Sequence, residues 1–131
     1  MLRVGLFNDF KGADTILVWG DAEGFQELHS TVLALLDGQE QTATVGSGRT
    51  TLTIDVEDSG GFGLSRLISD PIDANSLRWT CSQSLLDNTA GLLAGLATAT
   101  NGHQYVDVSG PVATQLMFSA GEYPDEMSPS L

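Results

Sequence analysis

Basic residues are scarce in this chain. Five Lys and Arg stand against 17 Asp and Glu, for a formal net charge of −12, and no Lys or Arg follows Arg78. Binding to a nucleic-acid backbone rests on basic side chains that displace counterions, so no nucleic-acid partner is expected. A negative surface does speed encounter with a basic partner, and it also serves solubility. Cysteine is nearly absent: the single Cys81 excludes an internal disulfide. Long apolar runs are missing as well. The opening MLRVGLFNDF holds only a four-residue apolar run (4–7), too short for a signal-peptide core, so a cytoplasmic protein is expected. The least polar stretch, AGLLAGLATA (90–99), is about half of what a membrane-spanning helix needs, and no membrane association is expected.

What is present reads as one domain. A chain of 131 residues can bury roughly two thirds of the surface its unfolded form exposes. Two segments are amphipathic at about 100° per residue. In residues 22–37, Phe25, Leu28, Val32, Leu33, Leu35 and Leu36 share an apolar arc, opposite Gln26, Glu27, Ser30 and Thr31. Asp21 is placed to cap this helix and Gly38 to stop it. In residues 83–98, Leu85, Leu92, Leu93 and Leu96 form the arc, with Ser82 or Cys81 as cap and Gly102 past the end.

The other segments alternate as strands do. TTLTIDVE (50–57) places Leu52, Ile54 and Val56 on one face, after the Gly-rich turn VGSGRT (45–50). HQYVDVS and VATQLMFS are joined by Gly110 and Pro111, and short strands are expected at 2–7, 16–19, 63–68 and 77–80.

The chain also echoes itself. LFND (6–9) resembles LISD (67–70), and ADTILVW (13–19) resembles ANSLRW (74–79), with a register of sixty from Trp19 and Trp79 onward. The expected fold is α+β: an antiparallel sheet of six to eight strands with two helices on one face, its halves 1–60 and 61–123 related by a pseudo-twofold. Residues 124–131 read as a flexible tail.

Several residue sets invite a chemical reading. In GHQYVDVSG (102–110), His103, Tyr105 and Asp107 share one strand face, turned away from Val106 and Val108. Ala113, Gln115, Met117 and Ser119 join it from the next strand. The mixture of an aromatic, a Met and polar groups suits a protein interface, and the competing reading is a solvated sheet face. GEYPDE (121–126) sets Tyr123 among Glu122, Asp125 and Glu126, an aromatic anchor among charges that set the on-rate. Cys81 with His103 is the one available thiol and base, and a helix N-terminus would lower the thiol pKa, though no local signature surrounds either. His29 reads as structural. The loop DPIDAN (70–75) lacks the Gly and distal Glu of a calcium site, so neither metal nor cofactor is expected. SGGFG (59–63) lacks the GK[ST] of a phosphate loop and reads as a connector. Gly91 and Gly95 form a GxxxG that would let a neighbouring helix or subunit approach closely.

Taken with Trp79, the Leu-rich helix, GHQYVDVSG and GEYP, residues 76–125 resemble small acidic bacterial proteins of the immunity type, which are cytoplasmic antidotes to polymorphic toxins. The resemblance implies a non-enzymatic protein that binds and blocks a cognate toxin domain. It transfers no individual contact residue. The expected function is therefore an acidic binder of a basic protein partner, lined by Tyr105, Asp107, Met117, Glu122, Tyr123, Asp125 and Glu126, with no catalytic residue. Two alternatives stand beside it: a small-molecule domain with its pocket between the halves near Trp19 and Trp79, and a structural homodimer.

Overall fold

The computed structural model describes residues 1–46, 48–57 and 63–129. Eight strands and two helices follow in the order β1 (Leu2–Phe10), β2 (Ala13–Gly20), α1 (Ala22–Leu36), β3 (Thr42–Val45), β4 (Thr51–Val56), β5 (Ser65–Ser69), β6 (Ser76–Cys81), α2 (Gln83–Leu96), β7 (Gly102–Asp107) and β8 (Gln115–Ala120). The connector SGGFG lies, except for Gly63, outside the described residues.

Both helices start as their sequences dictate. The Asp21 carboxylate accepts the Gly24 N–H at 2.8 Å, and the Ser82 hydroxyl accepts the Leu85 N–H at 3.2 Å, each satisfying a donor of the first turn. Gly38, at φ +76°, closes α1 in the left-handed conformation that glycine adopts without a Cβ penalty. Gly102 does not cap α2 and instead opens β7; the last turn of α2 is held by Ala97 and by Gln26 of α1, whose Nε2 donates to the Ala97 carbonyl at 3.0 Å. Gln26 is thus a tie between the helices and not only a solvent-facing residue.

The single antiparallel sheet of six to eight strands is not formed. The strands divide between two four-stranded sheets, ordered β1-β2-β8-β7 and β3-β4-β6-β5, and each has a parallel pair at its centre, β2 with β8 and β4 with β6. The helices cause the division, since α1 carries the chain from the first sheet to the second and α2 carries it back. A parallel neighbour must come from a distant part of the chain. Its trace is visible in ILVW of β2 (16–19), a continuous apolar run buried on both faces, as parallel strands are.

One cluster unites the inner faces of both sheets with the helices: Val4, Ile16 and Val18 from the first, Leu52, Ile54 and Trp79 from the second, Phe25, Val32, Leu86 and Leu93 from the helices. The two helical arcs are shifted from expectation. Leu33 is 43% exposed, while Leu86 and Ala90 are buried where Leu85 and Leu92 are only half-buried.

The register of sixty is not kept. Trp19 sits in a smaller cluster with Phe7, Leu17 and Met117 on the outer side of the first sheet, whereas Trp79 is in the central core. A slip of one residue turns a strand's side chains to the other face, so these two tryptophans are not equivalents.

At one seam the sheets are stitched together. The Leu67 N–H donates to the Ser109 carbonyl at 2.8 Å and the Ser109 N–H to the Ser65 carbonyl at 2.9 Å. The Ser65 hydroxyl accepts from Trp79 Nε1 at 2.9 Å and donates to the Asp107 carbonyl at 2.7 Å, so a core tryptophan is tied to the seam. The stretch read as a flexible tail is docked from 124 to 129: Trp19 Nε1 donates to the Pro124 carbonyl at 2.9 Å, and Met127 packs on the outer cluster.

Candidate functional site

On the outer side of the first sheet, the β1–β2 hairpin tip is built by strained backbone. Asp9 and Lys11 adopt φ of 51° and 52°, beside an irregularity in the β1–β2 register between Phe7 and Phe10. The Asp14 carboxylate holds the turn by accepting the Asp9 N–H at 2.8 Å. The result presents Phe10 against Tyr123, ring centroids 5.8 Å apart, with the Lys11 ammonium 5.8 Å and 6.0 Å from those two rings. The Tyr123 oxygen, first by hydrogen bonding and then by its charge, holds the Lys11 amine above its ordinary 10.5. It remains a cation, suited to binding and not to proton abstraction.

Beside this cluster stand His103, Tyr105, Ser119 and Glu122. His103 Nδ1 lies 3.0 Å from both carboxylate oxygens of Glu122, and the Ser119 hydroxyl donates to Glu122 Oε1 at 2.6 Å. The imidazole meets the Tyr105 ring edge-on at 5.2 Å. Serine, histidine and a carboxylate are all present, but their order is wrong for nucleophilic catalysis, which needs the hydroxyl against the imidazole. Here Glu122 stands between them and Ser119 is fully buried.

Burial pushes the Glu122 carboxyl upward, but the hydrogen bonds from Ser119 and His103, with the charges of His103 and Lys11, outweigh it and hold the group below its ordinary 4.5. A depressed folded-state pKa gives stability that is complete above 4.5 and fades as pH falls through the lower folded value. Urea midpoints of Glu122→Gln should therefore fall less steeply than those of the wild type between about pH 5 and pH 3. Parallel curves would show that the His103–Glu122 contact contributes nothing to folding.

The seven residues expected to line a partner surface are dispersed. Met117 does lie on the same face as Tyr105, its cross-strand neighbour, but it is fully buried beneath Phe7, Leu17 and Trp19. Ala113 and Ser119, expected outside with it, are buried too. Among the described residues this face carries no helix, and the 124–129 stretch crosses it. Glu122 and Tyr123 are held as described, and Asp125 reaches Arg3 at 3.9 Å. Tyr105, 40% exposed, Asp107 and Glu126 remain open to solvent.

Cys81 is a core residue of β6. Burial first, and the Asp55 carboxylate second, push its thiol up to about 12, the reverse of the lowering expected from a helix N-terminus. Asp70 and Asp73 spend their carboxylates on backbone N–H groups of their own loop, with Asp70 accepting from Ile72 at 2.8 Å and Asp73 from Asn75 at 3.0 Å. Among the described residues no three His, Cys, Asp or Glu converge as a metal-binding group. Gly91 and Gly95 are surface positions where an added Cβ would meet nothing within 4 Å, so the GxxxG does not make the helix–helix contact. Trp19, but not Trp79, borders a cavity of about 240 Å³ together with Arg3 and Arg49. No described helix is long and apolar enough to cross a membrane.

A second acidic feature went unread in the sequence. A groove of about 460 Å³ runs between α1 and β3, with Glu23 and Glu27 on its helical wall and Leu2, Leu28 and Val45 among its apolar lining. The signal available was the absence of any Lys or Arg from 12 to 48. Meanwhile Arg3, Arg66 and Arg78 each lie within ion-pairing distance of an acid, Asp125, Glu57 and Asp55.

Comparison with protein-family models, curated proteins and solved structures finds no match.

Proposed function

We propose that this chain is a non-enzymatic binding protein that offers an acidic surface to a basic protein partner in the cytoplasm, as an immunity-type antidote does to a toxin domain. The observation that carries the reading is the segregation of charge. Neither helix contains a Lys or Arg, and three of the four arginines are set against carboxylates. Beside the helices the N-terminal ammonium is held by Asp21 at 3.1 Å, and the remaining negative field steers a basic protein toward the surface. Tyr105, Asp107 and Glu126 are the exposed members of the β7–β8 side that would share in contact.

The internal-repeat reading belongs to the same proposal, at a spacing of sixty-one. The caps Asp21 and Ser82 support it, as do the buried pairs Phe25 and Leu86, Leu28 and Thr89, Val32 and Leu93, and Leu35 and Leu96. Under this alignment the exposed Glu23 and Glu27 of α1 correspond to the neutral Ser84 and Asn88 of α2.

The test is affinity capture from the source cells at low salt, followed by association kinetics with the purified partner. A single basic protein is expected, with an association rate falling steeply as ionic strength rises. Recombination with that partner should also abolish its activity. A partner whose association rate is indifferent to salt would overturn the reading.

A further inference from the structure

We propose that the cavity between β1, residues 48–50 and the 124–129 stretch is a binding site for a small oxyanion, a phosphate or carboxylate group carried on a short apolar body. The site is separate from the acidic surface described above, and it needs no protein partner.

The first observation is where the cations gather. The chain has only five Lys and Arg against 17 Asp and Glu, yet two of the five, Arg3 and Arg49, line this one cavity of about 240 Å³. Like charges brought together repel unless an anion lies between them. Arg3 reaches from β1 toward the loop between β3 and β4, where its Nη1 would lie 3.7 Å from a Cβ on Gly48, the neighbour of Arg49. Glycine at 48 sets no side chain against that guanidinium.

The second is how little opposes them. Among the described residues Asp125 is the one acid in the lining, and its carboxylate lies 3.9 Å from Arg3 Nε with its side chain 70% exposed. Water screens most of such an attraction. Arg49 is exposed and makes no ion pair among the described residues. An oxyanion placed between the two guanidinium groups would accept from planar forks that match its geometry and displace Asp125 toward water.

The third is the apolar part of the wall, made by Val4, Trp19, Met127 and Pro129. Trp19 Nε1 is already spent on the Pro124 carbonyl at 2.9 Å, so the indole offers hydrocarbon to a ligand. The same hydrogen bond anchors the 124–129 stretch, and Pro129 is seated over Gly5, where a Cβ would lie 2.6 Å from its Cγ. Asp125 can therefore swing aside while the wall stays in place. At about 240 Å³ the cavity is smaller than the roughly 300 to 1,000 Å³ of drug-sized sites. The ligand is correspondingly small.

The probes are isobutyl phosphate and isovalerate, each titrated into the full chain at constant ionic strength with chloride as the control. Binding is followed by NMR at the side-chain N–H groups of Arg3 and Arg49 and at the Trp19 indole N–H. Saturable shifts are expected at all three and not at the Trp79 indole, which lies in the central core. Arg49→Gln, an exposed change, should weaken binding about ten-fold. Asp125→Asn should tighten it several-fold, because it removes the internal competitor. The tighter probe assigns the group bound as a phosphate ester or a carboxylate. Shifts no larger than those with chloride, affinity unchanged by Arg49→Gln, or weaker binding in Asp125→Asn would overturn the site. None of these results bears on salt-dependent association with a basic partner, so the two readings fail separately.

Discussion

Trp79→Ala should lower folding stability by about 3 to 5 kcal/mol, a large part of the roughly 5 to 15 kcal/mol that a domain of this size holds. Trp79 is fully buried at the centre of the second sheet, with Ile54 beside it on β4 and Leu67 on β5. Alanine would leave a cavity that neither neighbour can fill, because both are held in register by their ladders. It would also strip the Ser65 hydroxyl of its donor at 2.9 Å, and that hydroxyl is what reaches the Asp107 carbonyl across the seam. The change should appear as a lower urea midpoint at unchanged m-value. Trp79→Phe, which keeps most of the volume, should cost about 1 to 2 kcal/mol for the lost N–H and the remaining void. A loss for Trp79→Ala below that range would mean that the core is loosely packed around β6.

The second large effect is expected at Gly110. Its φ is +144°, and a Cβ there would lie 2.0 Å from the Leu67 carbonyl oxygen and 3.1 Å from its carbon. Backbone must move, and the backbone in question carries the two hydrogen bonds that join Ser109 to Leu67 and Ser65. Gly110→Ala should cost about 3 kcal/mol or more, from steric displacement together with weakened hydrogen bonds. Gly12 is the control. It too has a positive φ, +91°, yet nothing lies within 4 Å of an added Cβ, so Gly12→Ala should cost only the backbone strain, about 1 kcal/mol. Amide exchange at Leu67 and Ser109 should accelerate in the first variant and not in the second. Equal losses in the two would show that conformation alone, and not contact with Leu67, decides the matter.

Much of the local structure was legible because its causes are local. Asp21 and Ser82 announce helix starts by having a side-chain oxygen three residues ahead of an orphan N–H. Gly38 announces a stop because the chain must turn left-handed there. His103, Tyr105 and Asp107 share a face because strand side chains alternate. The failures came where burial depends on distant residues. Met117 obeys the alternation, but its exposure was decided by Phe7 and Trp19 and by the 124–129 stretch crossing the outer face. Cys81 stands at a helix start, yet its thiol answers to core burial and to Asp55. The α1–β3 groove was hidden for the same reason, since its walls come from segments on either side of a turn and from the first strand.

The sequence by itself determined the two helices and their caps, the positions and faces of most strands and the excess of negative charge, because each follows from period, backbone chemistry or composition. Only the tertiary structure decided that the strands form two mixed sheets and not one antiparallel sheet, that the Trp19 face is covered, and that Glu23 and Glu27 share a groove with β3. Periodicity reports which side of a strand is apolar but carries no information on which strand lies beside it, and pairing across a helical crossover is settled by packing both sheets onto one core.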